Sequence, residues 1–264
     1  MTEKNAGTGN KEGRTFLEVI DLHVNFGGVE AIHGLSFSIA TGMIFSIIGP
    51  NGAGKTTAIN TITGIYSPHR GDILFMGKSI VGLRPFQIAR LGIARTFQQV
   101  QLFSNMTVLE NVATGFHCKM KSGLFGGLIH HWRERKEEKE VFNRAKAILD
   151  FFGLLYLADS MPSHITIGEQ KRLEIARAMA SNPMLILLDE PAAGLNVRET
   201  EDMAELIIRI CKKGHTIVIV EHNMHLVMNV SERVMVLHHG RKISEGPPLV
   251  VQRDRTVMDA YLGG

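Results

Sequence analysis

The chain has 264 residues, of which 44% are apolar and 21% are charged, and its formal net charge at pH 7 is +3. This composition is typical of a soluble globular domain and excludes both a disordered chain and an integral membrane protein. The 29 basic and 26 acidic residues are spread along the whole length, so no basic patch predicts binding to nucleic acid. Cys118 and Cys211 lie far apart and lack metal ligands at the usual spacing, so we interpret both as reduced thiols of a cytosolic protein.

Neither the N-terminal residues nor any apolar run in the sequence predicts a segment that enters a membrane. Residues 1–14 are polar and glycine-rich without an apolar core, which predicts a disordered leader rather than a signal peptide. No apolar run approaches the roughly 18 residues that a membrane-spanning helix needs. A role at a membrane therefore requires a partner.

Short apolar runs alternate with helical patterns along the rest of the chain. Unbroken apolar runs, such as 185–188 and 217–220, favour strands buried on both faces of a parallel sheet. Residues 35–39 alternate instead, which indicates one solvated face. Between about residues 105 and 182 the pattern is helical and includes a charged stretch at 132–146, which we interpret as the solvated face of a helix. The sequence thus predicts one domain over residues 15–264 with a helical lobe, and strands at 16–24, 35–40, 43–48, 185–188, 216–220 and 233–237.

A glycine-rich segment follows the third predicted strand: residues 49–56 read Gly-Pro-Asn-Gly-Ala-Gly-Lys-Thr. Its glycines let the backbone turn tightly and aim N–H groups at phosphate oxygens, and a helix predicted at about 55–62 places its N-terminus at the same anion. Lys55 then reaches the β- and γ-phosphates, and the Thr56 hydroxyl completes a Mg²⁺ shell. The segment is predicted to be a P-loop that binds ATP and Mg²⁺ through Gly49, Pro50, Asn51, Gly52, Ala53, Gly54, Lys55, Thr56 and Thr57.

Two acidic residues end the apolar run at 185–188. In a functional interpretation Asp189 holds Mg²⁺ through water, and Glu190 polarises the water that attacks the γ-phosphate. Alternatively, Asp-Glu-Pro only ends a strand and begins a turn at Pro191. The P-loop favours the functional interpretation.

The order of the motifs resembles that of ABC-type ATPases: a P-loop, Thr96-Phe97-Gln98, a glycine-centred signature before a helix, Leu-Leu-Asp-Glu-Pro, and a later His222. The resemblance covers nearly the whole chain after residue 14. It implies an α/β P-loop ATPase domain with a RecA-like parallel-sheet core, an antiparallel β region and the helical lobe.

The same resemblance implies roles for three further residues. Gln98 would sense Mg²⁺ and the attacking water, His222 would touch the γ-phosphate, and Phe26 would stack on adenine. Without the resemblance, Gln98 could be a surface residue of a glutamine-rich turn, and Phe26 a core or strand-edge residue. Glu221 and His222, together with His225, could also suggest a metal pair, although no third plausible ligand is evident.

The signature region departs from the common Leu-Ser-Gly-Gly-Gln pattern, because residues 165–170 read Ile-Thr-Ile-Gly-Glu-Gln. Thr166 and Glu169 also match a capping box at the start of a helix that is predicted to run to about residue 180. Both interpretations can hold, since a capped helix N-terminus attracts a phosphate presented by a second subunit. The resemblance therefore implies that Thr166, Gly168 and Glu169 contact ATP held by that subunit. The departure from the common pattern is expected to loosen this contact, through the methyl group of Thr166 and the bulky Ile167.

Several segments resemble the ATPase subunits of branched-chain amino-acid importers: Ala-Ala-Gly-Leu-Asn at 192–196, the Arg-Thr-Phe-Gln at 95–98, the Glu-Ile-Ala-Arg at 174–177 and the terminal Ala-Tyr-Leu-Gly at 260–263. This resemblance implies a second ATPase subunit, identical or related, two membrane permease subunits, and indirectly a solute-binding protein. It places the chain at the cytoplasmic face of the inner (cell) membrane. Coupling helices of the permeases are expected to dock near Gln98, where Val100, Leu102 and Phe103 offer apolar surface.

Three other functions remain open at this point. ATPases that export lipid or lipopolysaccharide precursors share much of the pattern. A soluble ABC ATPase of DNA repair or translation control is disfavoured by the single P-loop and by the lack of sustained heptads between residues 56 and 166. A small-molecule kinase would leave the signature region and His222 without roles. The sequence does not specify the transported substrate.

Overall fold

The protein is described by a computed structural model that covers residues 15–116 and 131–262. One of its two sheets is antiparallel and has the strand order β2-β1-β4-β5. Gly27 and Gly28 join the first two strands with φ of 51° and 90°, the left-handed conformation that tight hairpin turns require. These strands are β1 (Thr15–Phe26), β2 (Val29–Ala40), β4 (Arg70–Phe75) and β5 (Lys78–Ser79).

The first hairpin is longer than the sequence predicts. Strand β2 begins at Val29 instead of residue 35, because its pairing with β1 continues to the turn, where Phe26 lies opposite Val29. The predicted alternation in β2 is confirmed: Leu35, Phe37 and Ile39 are buried, whereas the serines between them are exposed. Strands β4 and β5 were not predicted, since their short mixed segments carry little periodicity.

The second sheet has six strands in the order β10-β9-β3-β8-β7-β6. All pairs from β9 to β6 are parallel, and β10 is an antiparallel edge strand. Every residue of β3, β7 and β8 is buried, which confirms the prediction of strands covered on both faces. The strands are β3 (Ile44–Ile48), β6 (Ile93–Arg95), β7 (Leu185–Asp189), β8 (Thr216–Val220), β9 (Arg233–His238) and β10 (Arg241–Gly246).

Nine α-helices lie in the described part of the chain, and none of them is long and apolar enough to cross a bilayer. The predicted leader at 1–14 and Cys118 lie outside the described residues, and the bounds of the helical lobe stay a prediction. The helices are α1 (Lys55–Ile62), α2 (Pro85–Arg90), α3 (Val108–Thr114), α4 (His131–Phe151), α5 (Ile167–Ala180), α6 (Val197–Lys212), α7 (Met224–Val230), α8 (Pro248–Gln252) and α9 (Arg255–Leu262).

Helices α3, α4 and α5 contact one another within the segment predicted as the helical lobe. In the charged stretch, Glu138, Lys139 and Glu140 of α4 are exposed, as expected for a solvated helix face. Ala145 and Leu149, which come later in the same helix, are fully buried. The helix is therefore held by its apolar face, and its charges remain in water.

The parallel sheet separates two apolar cores. Ile186 and Leu188 of β7 pack with α5 and α6 on one face, while Leu185 and Leu187 pack with α1 and the antiparallel sheet on the other. Side chains alternate between faces along a strand, so the same strand contributes to both cores. Because β3, β7 and β8 run parallel, their carboxyl ends meet at one edge of the sheet, which is where open α/β sheets bind ligands.

Candidate functional site

The P-loop leaves the carboxyl end of β3 in a conformation that depends on glycine. Gly49 has φ of 151°, and a Cβ atom there would lie 2.1 Å from the carbonyl oxygen of Leu237 in β9. Gly54 has φ of 101°, and its Cβ would lie 2.9 Å from the carbonyl oxygen of Ala31. Gly52 has φ of 78° but open space around it. Steric crowding thus requires glycine at Gly49 and Gly54, and the positive φ favours glycine at all three positions.

Lys55 begins helix α1 and points its amine back into the loop. Its Nζ atom donates hydrogen bonds to the carbonyl oxygens of Gly49 (2.7 Å) and Pro50 (2.9 Å). Burial lowers the pKa of Lys55, and the nearby carboxylates of Glu190 and Asp189 partly oppose this shift. An ammonium group has three donors, so the residue can reach an additional oxygen from the place that it occupies.

Helix α1 presents its N-terminus to the same loop. Its N-cap residue is Gly54, and no acidic side chain lies in its first turn. The first backbone N–H groups of a helix, here including those of Thr56 and Thr57, have no partner within the helix. The exposed Thr56 hydroxyl lies beside them in sequence. Together these groups make an anion site of the type that phosphates occupy.

Asp189 ends strand β7 and forms a buried ion pair. Its Oδ2 accepts a hydrogen bond of 2.9 Å from Arg95, and the side chains of Arg95 and Asp189 are 9% and 1% exposed. Arg95 also donates to Asn60 and Thr63 of the segment that follows the P-loop. Burial raises the pKa of Asp189, while Arg95 opposes that shift.

The second carboxylate oxygen of Asp189, Oδ1, is a candidate ligand for the predicted Mg²⁺ ion. Among the described residues, Oδ1 is buried and has no hydrogen-bond partner. A buried oxygen of this kind costs free energy unless something satisfies it. Oxygen ligands are the ones that Mg²⁺ prefers. The residues at the end of β7 therefore fit a divalent cation.

Glu190 follows Asp189 with φ of 50°, an uncommon conformation for a residue with a side chain. Its Oε2 accepts a hydrogen bond of 3.2 Å from Nε2 of Gln98. Its Oε1 lies 3.8 Å from Nδ1 of His222. The side chain of Glu190 is 16% exposed, and that of His222 is 56% exposed. The structure thus brings together three residues that the sequence could connect only through the resemblance.

Glu221 is a site residue whose role the sequence does not reveal. It follows strand β8, is fully buried, and accepts hydrogen bonds from the backbone amides of Ala192 (2.8 Å), His222 (2.8 Å) and Asn223 (2.9 Å). It therefore joins the turn after Glu190 to the segment that carries His222. The one available signal was its position, because Glu221 directly follows the buried strand β8 just as Glu190 follows β7.

Phe26 lies at the tip of the first hairpin. Its ring is 43% exposed and meets the ring of Tyr66 edge to face, with 4.9 Å between centroids. Tyr66 follows helix α1 and was not singled out from the sequence. The exposed Phe26 ring offers a face on which a planar base could stack, and adenine stacking on Phe26 stays a prediction.

The signature region forms the predicted capping box. The backbone amide of Glu169 donates to the Thr166 hydroxyl (3.3 Å), and the amide of Thr166 donates to the Glu169 carboxylate (2.7 Å). Glu169 also accepts a hydrogen bond from the Tyr156 hydroxyl, and Gly168 lies against Glu199. Within residues 15–116 and 131–262, no hydrogen bond or ion pair joins this helix N-terminus to the P-loop.

The C-terminal helices support the P-loop from below. Val251 of α8 and Val257 of α9 share a buried cluster with Ile48, the last residue of β3. Burial raises the pKa of the Tyr261 hydroxyl, and the backbone N–H of Gly49 opposes that shift. The sequence singled out residues 260–263 only by resemblance, so the link between Tyr261 and the P-loop comes from the structure.

A groove of about 670 Å³ lies beside the segment that follows Gln98, and not over the P-loop. Ile88 of α2 lines one side, Arg177 of α5 lines the other, and Leu102 and Phe103 contribute apolar surface. Of the three residues expected at a docking surface, Val100 is not among those that line it. The docking surface expected from the sequence is therefore limited to Leu102 and Phe103.

Comparisons with known proteins agree with this geometry. A family model described as ABC transporter matches residues 32–193, and one described as branched-chain amino acid ATP-binding cassette transporter matches residues 241–264. The high-affinity branched-chain amino acid transport ATP-binding protein LivG of Escherichia coli (strain K12) is 43% identical over 248 residues, which cover 94% of this chain and 97% of LivG. BraF of Pseudomonas aeruginosa, which carries the same description, is 39% identical over 95% of this chain and 98% of BraF.

Solved structures give the same result. A nucleotide-free ATP-binding cassette from an ABC transporter matches with a TM-score of 0.83 at 33% identity, over 95% of this chain and 100% of that chain. An ATP-binding cassette in its ADP conformation matches with a TM-score of 0.82 at 33% identity, over 95% of this chain and 99% of the other. The predicted α/β P-loop fold is confirmed, and the chain belongs to the ABC transporter family, as its nucleotide-binding ATPase component.

Proposed function

We propose that this chain hydrolyses ATP to energise an importer of branched-chain amino acids. The main support is the cluster of Gln98, Glu190 and His222 at the same sheet edge as the P-loop lysine. The substrate class rests on the relatives, two of which are described as branched-chain amino acid transport ATP-binding proteins. The segment at 241–264 matches the corresponding family model.

In this proposal the P-loop holds the phosphates of ATP, and Phe26 stacks on the adenine. Backbone N–H groups of residues 49–57 and the amine of Lys55 bind the β- and γ-phosphates. Thr56, Asp189 and Gln98 would hold Mg²⁺, which neutralises charge on the phosphates when it is bound. The buried, unpartnered Oδ1 of Asp189 supports that assignment.

Glu190 acts as the general base. Its carboxylate accepts a proton from a water molecule as the water oxygen forms a bond to the γ-phosphorus, and the bond from that phosphorus to ADP breaks. Gln98 fixes the carboxylate by donating to Oε2, so the other oxygen faces the water. His222 lies beside that oxygen and can donate a hydrogen bond to the γ-phosphate from its exposed ring.

A second subunit completes each site. The capped N-terminus of α5 has exposed Thr166 beside Gly168 and Glu169. In the described residues, no hydrogen bond or ion pair joins it to the P-loop of its own chain. A helix N-terminus attracts anions, so this one would contact the γ-phosphate of ATP held by the other subunit. A dimeric ATP-binding cassette bound to ADP and Pi matches this chain with a TM-score of 0.74 at 26% identity, over 88% of this chain and 99% of the other. The second subunit is either another copy of this chain or a related ATPase chain.

Two permease subunits provide the membrane partner and hold the ATPase at the cytoplasmic face of the inner membrane, with a solute-binding protein acting on the opposite side. The groove beside Gln98 is the proposed docking site for their coupling helices. Replacing Leu102 and Phe103 together by aspartate is expected to abolish recruitment of the chain to permease-containing membranes. Leu249→Asp, at an apolar residue that is 65% exposed in α8, is the control. Unchanged recruitment of the double variant would rule out this docking site.

The direct test of the chemistry is Glu190→Gln. Loss of a general base is expected to lower kcat for ATP hydrolysis about 10²- to 10⁴-fold, while the P-loop keeps its affinity for ATP. Glu205→Gln, which changes an exposed carboxylate of α6, is the matched control. Unchanged turnover of Glu190→Gln would remove Glu190 from its role.

The substrate is tested separately in cells that lack their own importer ATPase. Co-expression of this chain with the two permease subunits of a branched-chain amino-acid importer is expected to restore uptake of labelled leucine, isoleucine or valine. The Glu190→Gln variant is expected to restore none. ATP hydrolysis without uptake of any of the three amino acids would preserve the ATPase and reject the substrate class.

A further inference from the structure

Helix α5 carries three ionisable residues at every third position along one face: Lys171, Glu174 and Arg177. Lys171 is 6% exposed and Glu174 is 4% exposed. Residues three apart on a helix lie on the same side. Charged groups that leave water cost free energy unless they are partnered, so their partners indicate what the helix face is built to hold.

The partner of Glu174 is the backbone of the segment that carries Gln98. Its Oε1 accepts hydrogen bonds from the amides of Phe97 and Gln101, both at 3.3 Å. This segment has no helix or strand to satisfy those amides. Arg177 adds a second contact, since its guanidinium lies 5.5 Å from the centre of the Phe103 ring. Glu174 and Arg177, which lie within one turn of α5, therefore contact the segment around Gln98 both before and after this residue.

Lys171 connects helix α5 to Glu190, the residue whose carboxylate accepts the hydrogen bond from Gln98. Its Nζ donates a hydrogen bond of 2.8 Å to the backbone carbonyl oxygen of Glu190. Gln98 in turn donates to the Glu190 carboxylate. Helix α5 thus holds the backbone on both sides of this side-chain contact, although Gln98 and Glu190 are 92 residues apart in sequence.

We propose that Glu174 is a positioning residue for ATP hydrolysis: its buried carboxylate fixes the 97–101 segment so that Gln98 stays on the Glu190 carboxylate. The inference rests on the proposed function, because it assigns Glu174 an effect on that reaction. Helix α5 begins at the signature residues, so a shift of this helix would move Gln98 with it. Small displacements matter here, since a misplacement of about 1 Å can cost about a hundredfold in rate.

The test compares two substitutions of similar size. Glu174→Met removes the acceptor and suits a buried site, whereas Glu174→Gln keeps an oxygen at the same place. Glu174→Met is expected to lower kcat about tenfold to a hundredfold and to change KM for ATP less than about twofold, because the P-loop is untouched. Glu174→Gln is expected to recover most of the lost rate. Glu205→Met is the matched control on an exposed carboxylate.

A double variant separates positioning from general support of the fold. If Glu174 acts through Gln98, then Glu174→Met adds little to the loss already caused by Gln98→Ala. If Glu174 acts independently, the two losses multiply, and the proposal is overturned. It is equally overturned if Glu174→Met hydrolyses ATP at the rate of the Glu205→Met control.

Amide hydrogen exchange of residues 97–101 provides a measurement without ATP. In Glu174→Met these amides are expected to exchange faster, while those of β7 keep their protection. Unchanged exchange would overturn the proposed grip even if hydrolysis fell. A wild-type chain that hydrolyses no ATP would instead reject the proposed function, and the exchange data would still decide whether Glu174 holds the segment.

Discussion

The buried pair of Arg95 and Asp189 allows a quantitative test of how the site is held. The change is Arg95→Met, which keeps most of the side-chain volume but removes the charge and the donors. The carboxylate of Asp189 is then left 1% exposed without its cation. Removing one partner of a buried ion pair typically costs about 3–5 kcal/mol, and here the bonds to Asn60 and Thr63 are lost as well.

Urea unfolding followed by circular dichroism measures this cost. With an m-value of roughly 3 kcal/mol per molar urea, the expected loss lowers the midpoint by about 1 to 1.7 M. The buffer must be free of divalent cations, because a cation at Asp189 would offset the missing charge. Binding of Mg²⁺ to the variant can then be followed as a recovery of the midpoint.

Arg233→Met is the matched control, since Arg233 pairs with Glu245 at 2.7 Å but is 49% exposed. Exposed ion pairs contribute about 0–1 kcal/mol, so this variant is expected to unfold close to the wild-type midpoint. A midpoint for Arg95→Met no lower than that of Arg233→Met would refute the reasoning. The buried pair would then contribute no more to the free energy of unfolding than an exposed ion pair does.

Three further predictions use the same chain. Gly49→Ala is expected to abolish ATP binding and to lower Tm more than Gly52→Ala. Of these two positions, Gly49 is the one where the new Cβ would meet a backbone oxygen, whereas Gly52 has open space around it; equal effects would contradict this. Tyr261→Phe removes the hydroxyl near the Gly49 amide and is expected to raise Kd for ATP about threefold, with an unchanged Kd as the contrary result. The hydrogen bond to Glu30 raises the pKa of His23, so the pair stabilises the fold below the unfolded pKa and loses this effect as pH rises through the folded pKa. His23→Gln should therefore lower Tm more at pH 6 than at pH 9, and an equal loss at both would argue against the pair.

Local chemistry explains what could be predicted without the structure. The P-loop is recognisable because its glycines answer a local backbone requirement, and the capping box at Thr166 because its partners lie three residues apart. The strands β7 and β8 follow from unbroken apolar runs. The antiparallel strands were missed or shortened, since pairing across the sheet extends β2 to Val29 where periodicity gives no signal.

The sequence by itself predicted the nucleotide site and, by resemblance, the fold class and the family, and the last two are confirmed. Only the tertiary structure decided which residues meet: Gln98 with Glu190, Arg95 with Asp189, and Glu174 with the amides of 97 and 101. These partners are more than 70 residues apart, and the order of parallel strands, which no local pattern encodes, brings them to one edge. Among the described residues, no hydrogen bond or ion pair joins Thr166 to the P-loop of its own chain, as we expect of a helix N-terminus that, in the proposed function, contacts ATP held by another subunit.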